Sequence, residues 1–499
     1  MKRIPILFFL SLISNLLLGT EFLQEEVDTA LSHIQHPKRE WVNQRFTQNG
    51  IPILDVAIIG GGQTGLTVAF SLKRHCIQNI CIFDKNPKDA AGSWINIGRM
   101  KTLRTPKTTT GPDLDIPILS VKNWFSKKYG EQNWEDLDYV PRLVWHNYLN
   151  WYRDVLKLPV QFNSQVGPLS WDEVNQAYRF IVNKGPSEEE VFARKVILAT
   201  GLDGSGEWMV PQFIKENLPE SRYSQAVWPS EEGSIKGKSI AILGAGPNAF
   251  DLALEANRMG AKDIQIFSKR ERLVTLHCFK WGEFTGFMKC FTDLNDAQKY
   301  SFAARMYEMG QPPVPERVES TFKLPNFRMH YSSPWINAYE ENEKVTIVTP
   351  TKDYQVDFLI LATGWRCNLE SRPELVHLVE KIAKWEDKYN PPSDRNYEKL
   401  LQFPYLGSGF QFTPKDPEKD AHLNSLFNMT GGGLVSNGFC AGTGLTGMKY
   451  SINLIIDEIC RQFFLEDAEN YYSSFDNYNQ TDFDESCYLN LTSMDLDQN

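Results

Sequence analysis

The sequence contains no Cys-x-x-Cys pair and no Cys/His spacing of the kind that holds zinc. A structural zinc module is therefore excluded, and the 8 Cys have to be read singly. Their even number permits disulfides, but Cys81 and Cys460 fall in apolar strand and helix patterns and read as buried thiols. Positive charge is also scarce. With 52 Lys and Arg against 62 Asp and Glu, the formal net charge is -10, which argues against nucleic acid or an anionic membrane surface as the main partner. No catalytic acid, base or nucleophile stands out by motif, and His146, His277 and His330 read as structural histidines.

A full-length membrane span is missing too. Ile4 to Gly19 is mainly apolar but shorter than the roughly twenty residues a spanning helix needs. Following Lys2 and Arg3, it has the pattern of a secretory signal. Leu16 to Glu21 offers no clean small-x-small cleavage site, so an uncleaved anchor stays open beside export. The alternative is a structural helix in a cytoplasmic protein. Residues 1–20 are thus assigned as signal or anchor, with membrane association through them, and residues 21–50 as a polar lead-in.

Glycine, by contrast, is placed with a pattern. Val56 to Ile59 is a short apolar run of the kind a buried parallel strand shows, and Gly60, Gly62 and Gly65 follow it as G-x-G-x-x-G. The first glycine permits a tight turn and the second lets the backbone approach a pyrophosphate. The third lets the helix pack closely on the strand, with its positive N-terminus toward the phosphates. Ile80 to Phe83 makes the next strand. It ends on Asp84, where a carboxylate can accept from a ribose hydroxyl, and Lys85 adjoins it. Strand, glycine turn, helix, strand and terminal acid together predict a dinucleotide site.

The pattern recurs once. Ser239 to Leu243 is an apolar strand, and Gly244, Gly246, Asn248 and Ala249 lie in G-x-G-x-x-A. The following strand, Ile264 to Phe267, ends in Ser268, Lys269 and Arg270 instead of an acid. A hydroxyl and two cations suit a 2′-phosphate, so this unit is predicted to take NADPH in preference to NADH. Two further strands end alike, V-I-L-A-T-G (Val196 to Gly201) and L-I-L-A-T-G with Thr363 and Gly364; they read as crossings between the two units, with Thr363 and Gly364 expected at a cofactor. Val140 to Leu156 has helical periodicity, while Leu273 to Trp335 reads as an irregular aromatic arm that either lines a substrate or caps the second sheet. Gly431 to Gly447, including Gly444, is glycine-dense ahead of a helix from Met448 and is expected near a ligand. Beyond Leu465 the chain is acidic, rich in Asn, Ser and Tyr, and expected to be disordered.

These motifs together resemble the class B flavin-dependent monooxygenase-like family, over roughly residues 50 to 465. The carriers are G-G-G-Q-T-G with Asp84, G-S-W at Gly92 to Trp94, the two A-T-G strands, and G-A-G-P-N-A with its basic strand end. The resemblance implies FAD on the first unit and NADPH on the second. It further implies hydride transfer to the flavin, and dioxygen addition to give a C4a-(hydro)peroxide that oxygenates a small amine, sulfide or ketone. NADP⁺ would stay bound to shield that species. It places Ser93 and Trp94 on the flavin side. Arg104 and Lys107 follow that loop as candidates to contact cofactor phosphate or substrate, with surface solvation the preferred reading for Lys107.

The implied fold class is α/β, with two Rossmann-like dinucleotide-binding domains. FAD-binding segments at 51–205 and 346–465 form a discontinuous domain, an NADPH-binding domain is inserted at 206–345, and an acidic tail covers 466–499. One departure is visible. The family's linker fingerprint carries a histidine before the second unit, and Gln225 stands nearest to that position here. Glutamine cannot carry charge. Disulfide reductases share the two-nucleotide plan, but Gly92 to Arg99 lacks the cysteines their thiolate chemistry needs. An NADPH oxidase that inserts no oxygen, and a non-catalytic flavoprotein, are the two alternatives.

Overall fold

The computed structural model describes residues 23–34, 39–98, 100–109, 111–225, 235–439, 444–484 and 486. The signal-like segment, most of the Gly438 to Gly444 stretch and the end of the acidic tail lie outside the described residues. So does the part of the linker just after Gln225. Among the described residues, no helix is long and apolar enough to cross a membrane.

The architecture is α/β with two Rossmann-like units. In the first, Pro52–Ile59 lies between Ile80–Phe83 and Ser187–Leu198, parallel to both. Val160–Gln161 pairs parallel on the outer side of Ile80–Phe83, and Leu426–Asn428 pairs parallel with the end of Ser187–Leu198. Such a sheet is covered on both faces, which is why Val56 to Ile59 reads as an unbroken apolar run. Ala177–Lys184 extends the sheet as an antiparallel hairpin with Ser187–Leu198. Leu426–Asn428 brings the discontinuous part of the domain home.

The second unit is a five-stranded parallel sheet. Ser239–Leu243 is flanked by Asp263–Phe267 and Phe358–Leu361, with Phe327–His330 and Tyr223–Gln225 at the edges. Ile242 is fully buried and pairs with Ile266 and Ile360 on its two neighbours. Its truncation to Ala leaves a void at the centre of a close-packed sheet. Ile242→Ala is expected to lower stability by about 2–5 kcal/mol, read as a shift of the urea midpoint at unchanged slope.

Three expectations are corrected. The boundary at 345 is too early, because Phe358–Leu361 is an inner strand of the second sheet, and Asn337–Glu341, Lys344–Val348 and Asp353–Val356 form an antiparallel sheet packed beside it. The strand pattern at 345–362 was legible, but periodicity does not tell which sheet a strand joins. The segment from 273 to 335 is not irregular either. It carries helices Cys278–Trp281, Thr285–Cys290, Asp296–Met309 and Pro315–Phe322. Asp296–Met309 buries Tyr300, Ala303 and Ala304 in the same core as Trp385, Leu400 and Val435, so it caps the first domain and not the second sheet. Finally, the tail is not structureless where it is described.

Two compact units are distinguished, Met1–Asp457 and Glu458–Asn499. In the second, Ala468–Asp476 is a helix, and the Phe464 and Tyr471 rings stack at 5.3 Å and 7° across the break before it. Composition favours disorder there, while the described part holds this helix and this local aromatic contact.

The two crossings between the Rossmann units run side by side. Gly206–Trp208 pairs antiparallel with Trp365–Cys367, matching Trp208 to Trp365 and Gly206 to Cys367. Each crossing leaves an A-T-G strand end at the point where a dinucleotide would lie.

Candidate functional site

The two glycine turns are built to one geometry. Gly60 has φ +111° and Gly244 φ +109°, a region open to glycine, and a Cβ on them would sit 2.5 Å from the Ala199 carbonyl oxygen and 2.4 Å from that of Ala362. This is what the repeated A-T-G means: each is the backbone against which the first glycine of its own unit packs. The Gly60 amide donates to Phe83 and the Gly244 amide to Phe267, at 2.8 and 2.9 Å. Helices Gln63–Arg74 and Pro247–Arg258 start from Gly62 (φ -80°, ψ -173°) and Gly246 (φ -83°, ψ -177°), and neither has an acid in its first turn. Unopposed amides at both helix starts favour a phosphate. Gly65 serves packing, since a Cβ there would come within 2.0 Å of the Gly60 carbonyl oxygen.

In front of the first turn lies a cavity of about 630 Å³. The candidates Gly60, Gly62, Asp84, Lys85, Ser93 and Trp94 line it. Asp84 is buried and has a second task. Its Oδ2 accepts from the Gly61 amide at 2.8 Å, and its Oδ1 accepts from the Asn86 amide and side chain at 2.8 and 3.1 Å. Oδ2, with one bond, is the atom left to meet a ribose hydroxyl. Helix Arg142–Val155 fixes the G-S-W loop. The Arg142 guanidinium donates to the Trp94 carbonyl and, at 3.1 Å, to that of Met100, while Trp145 meets the Trp94 ring edge-on at 6.4 Å.

Other lining residues carried no sequence motif. Thr200, Asn86, Gln165 and the Arg372–Glu374 pair also line the cavity. Thr200 could have been picked from its A-T-G; Arg372 and Glu374 arrive on the return limb, with no local pattern to mark them. The cavity, the open approach at Gly62 and the acid-free helix start fit a bound FAD.

At the second turn, a Cβ on Gly246 would meet nothing within 4 Å, so the approach is open, and Asn248 sits in the first helical turn. Ser268 is buried and its Oγ accepts from the Arg270 amide at 3.0 Å, which fixes the strand-end loop with Lys269 and Arg270 exposed. The strand ends on a hydroxyl and two exposed cations, with Glu271 the next residue, and the arrangement fits a 2′-phosphorylated nucleotide.

Several candidates are used otherwise. Thr363 Oγ1 donates to the Met209 carbonyl, and the Met209 amide donates to Gly364 at 3.0 Å, so this pair ties the two crossings together. Arg104 does not face the cavity; its Nη2 binds Asp251 of helix Pro247–Arg258 at 2.7 Å. Lys107 is neither free nor solvated, donating to the carbonyls of Trp134 and Glu135 at 2.8 and 2.9 Å, where it caps a short helix. Gly444 borders residues outside those described, and its surroundings are not placed. Gln225 is exposed at the end of an edge strand. Burial lowers the pKa of His146, His277 and His330, and each has a hydrogen-bond partner: the Asp89 carbonyl, the Lys280 amide and the Gln265 side chain.

Beside the glycine-dense segment stands an aromatic cluster. Phe279 and Phe287 contact Phe439 at 5.6 and 4.8 Å, and Phe291 and Phe302 complete the group. Thr446 Oγ1 donates to Glu283 at 3.3 Å, so the aromatic helices and the start of helix Met448–Glu466 are joined.

Known proteins share this arrangement. Residues 132–313 match the family described as L-lysine 6-monooxygenase/L-ornithine 5-monooxygenase, and residues 57–203 match an FAD-NAD(P)-binding family. A protein named FAD-dependent urate hydroxylase from Xanthomonas campestris is 34% identical over 461 residues, 92% of this chain and 96% of that one. Among solved structures, ornithine hydroxylase from Pseudomonas aeruginosa superposes with a TM-score of 0.64 at 15% identity, covering 82% of this chain and 99% of that one. An ornithine N-hydroxylase from Kutzneria, solved with reduced FAD, NADP⁺ and L-ornithine, gives 0.64 at 13% identity, covering 82% and 100%.

Proposed function

The chain belongs to the class B flavin-dependent monooxygenase-like family, and on that premise we propose that its substrate is urate or a closely related oxidised purine. It is an FAD- and NADPH-dependent enzyme, a flavin monooxygenase acting on a small molecule with dioxygen. The single observation that carries the choice of substrate is the near end-to-end match to the urate hydroxylase.

FAD, when bound, supplies the oxygen-activating chemistry, and NADPH supplies the hydride. The chain's own part is to place and enclose them. Gly60 to Gly65 seat one pyrophosphate and Gly244 to Asn248 the other. Lys269 and Arg270 read the 2′-phosphate. Trp94, whose carbonyl is held by Arg142, lines the cavity.

The test is NADPH oxidation, oxygen uptake and product mass with urate, ornithine, trimethylamine and a cyclic ketone. Urate is expected to raise NADPH oxidation at least about tenfold over the substrate-free rate and to give a product carrying one added oxygen atom. NADPH oxidation indifferent to urate, with all oxygen recovered as peroxide, would establish the oxidase alternative instead.

A further inference from the structure

One buried cluster lies outside both dinucleotide sites and touches both domains. Asp251, in the second turn of helix Pro247–Arg258, has a side chain only 3% exposed and receives two guanidiniums. Arg104 from the flavin-side loop donates to its Oδ2 from Nη2 at 2.7 Å and from Nε at 3.2 Å. Arg317 of helix Pro315–Phe322 approaches Oδ1 at 3.3 Å and also donates to the Thr102 hydroxyl. Two contacts therefore cross between the domains, Arg104 to Asp251 and Arg317 to Thr102. Neutralising Asp251 would leave both guanidiniums without their carboxylate, the costlier change, whereas removing Arg104 leaves Asp251 paired with Arg317.

Both ends of the cluster are rigid. On the flavin side, the Leu103 amide donates to Val140 at 2.8 Å and the Arg142 amide to Lys101 at 3.1 Å, while the Arg142 side chain grips Trp94 on the cavity wall. On the other side, Asp251 lies one turn beyond Pro247 at the helix start. A lone carboxylate there would repel the incoming pyrophosphate. Two arginines reverse the sign and leave the cluster one positive charge in excess. A continuous chain of contacts thus runs from Trp94 through Arg142, the 101–104 loop and Arg104 to Asp251 and the phosphate-binding helix. The exposed, neutral Gln225 in the linker offers no comparable bond among the described residues.

We propose that Arg104 and Asp251 are positioning residues: their ion pair sets the phosphate-binding helix of the nicotinamide domain in register with the flavin-side loop, and so holds NADPH at hydride-transfer distance. The proposal rests on the FAD and NADPH assignment and not on the identity of the substrate. Hydride transfer is steep in geometry, and a misplacement of about 1 Å can slow such a step by about 100-fold.

The experiment uses the holoenzyme and its Arg104→Ala, Arg104→Lys and Asp251→Asn variants, without oxygenation substrate. Anaerobic flavin reduction by NADPH is followed by absorbance. NADP⁺ affinity is measured by calorimetry, and amide exchange over residues 100–104 and 247–258 is compared with and without NADP⁺. In Arg104→Ala the reduction rate is expected to fall roughly 10- to 100-fold. NADP⁺ affinity should change by less than about threefold, because the phosphate contacts are intact. NADP⁺ should protect the 100–104 amides in the parent and not in the variant. Arg104→Lys recovers part of the rate, and Arg104→Ala combined with Asp251→Asn is no worse than the more severe single change. An unchanged reduction rate, strictly additive losses, or losses that merely track FAD release and melting temperature would each overturn the proposal. Failure of urate as a substrate would leave every one of these measurements unmoved.

Discussion

Gly62→Leu protein is expected to fold, and to purify colourless. The reason lies in what a side chain at Gly62 would and would not meet. Its φ of -80° suits any residue, and the nearest atom to an added Cβ is the Gly92 Cα at 3.5 Å, an ordinary contact. The protein itself does not object to the substitution. The side chain would instead project into the space where the pyrophosphate must approach the helix start. FAD content is expected to fall by more than about tenfold, with far-ultraviolet dichroism retained, because loss of a helix-start phosphate site removes several charge-assisted hydrogen bonds at once.

Gly65→Leu supplies the contrast. There a Cβ would press within 2.0 Å of the Gly60 carbonyl oxygen, so the turn itself has to move and the protein should be recovered poorly or not at all. Yellow Gly62→Leu protein with one FAD per chain would show that the cavity before this turn is not the flavin site.

The same comparison shows what the sequence makes legible. Glycine positions, strand ends and the A-T-G repeat are local features with few physical solutions, and the structure assembles them as expected around both turns. Allegiance of a segment to one core or the other is not local. Helix Asp296–Met309 follows the second Rossmann strand in sequence, yet Tyr300 donates from its hydroxyl to the Arg395 carbonyl in the other domain's cap. Nothing in its periodicity names that partner. Charged residues mislead for a related reason. Arg104 and Lys107 stand where a cofactor contact is plausible from sequence distance, but a cation's partner is set by whichever acceptor folding brings near: Asp251 for one, a helix end for the other.

The second large effect concerns the choice between NADPH and NADH. Where the first unit ends its strand in Asp84, which accepts from the Gly61 amide, the second ends in Ser268, whose hydroxyl turns back to the Arg270 amide. The same backbone geometry therefore presents an acid in one unit and two exposed cations in the other. Replacing Lys269 and Arg270 together by serine removes both cations that can bind a 2′-phosphate. Hydrogen bonds to charged groups contribute about 1.5–3 kcal/mol each, so kcat/KM for NADPH is expected to fall by roughly 100-fold or more. NADH lacks the phosphate, and its kcat/KM should stay within about twofold of the parent value on the same principle of differential contact.

Arg270 also donates from Nη2 to the Glu308 carbonyl at 3.4 Å, so Arg270→Lys, which retains the charge but not the fork, separates charge from local structure. It should keep most of the preference for NADPH, and raised salt should weaken NADPH use in the parent more than in the doubly neutral variant. Equal losses with both nucleotides would mean that Lys269 and Arg270 support the loop that ends the strand and do not read the phosphate.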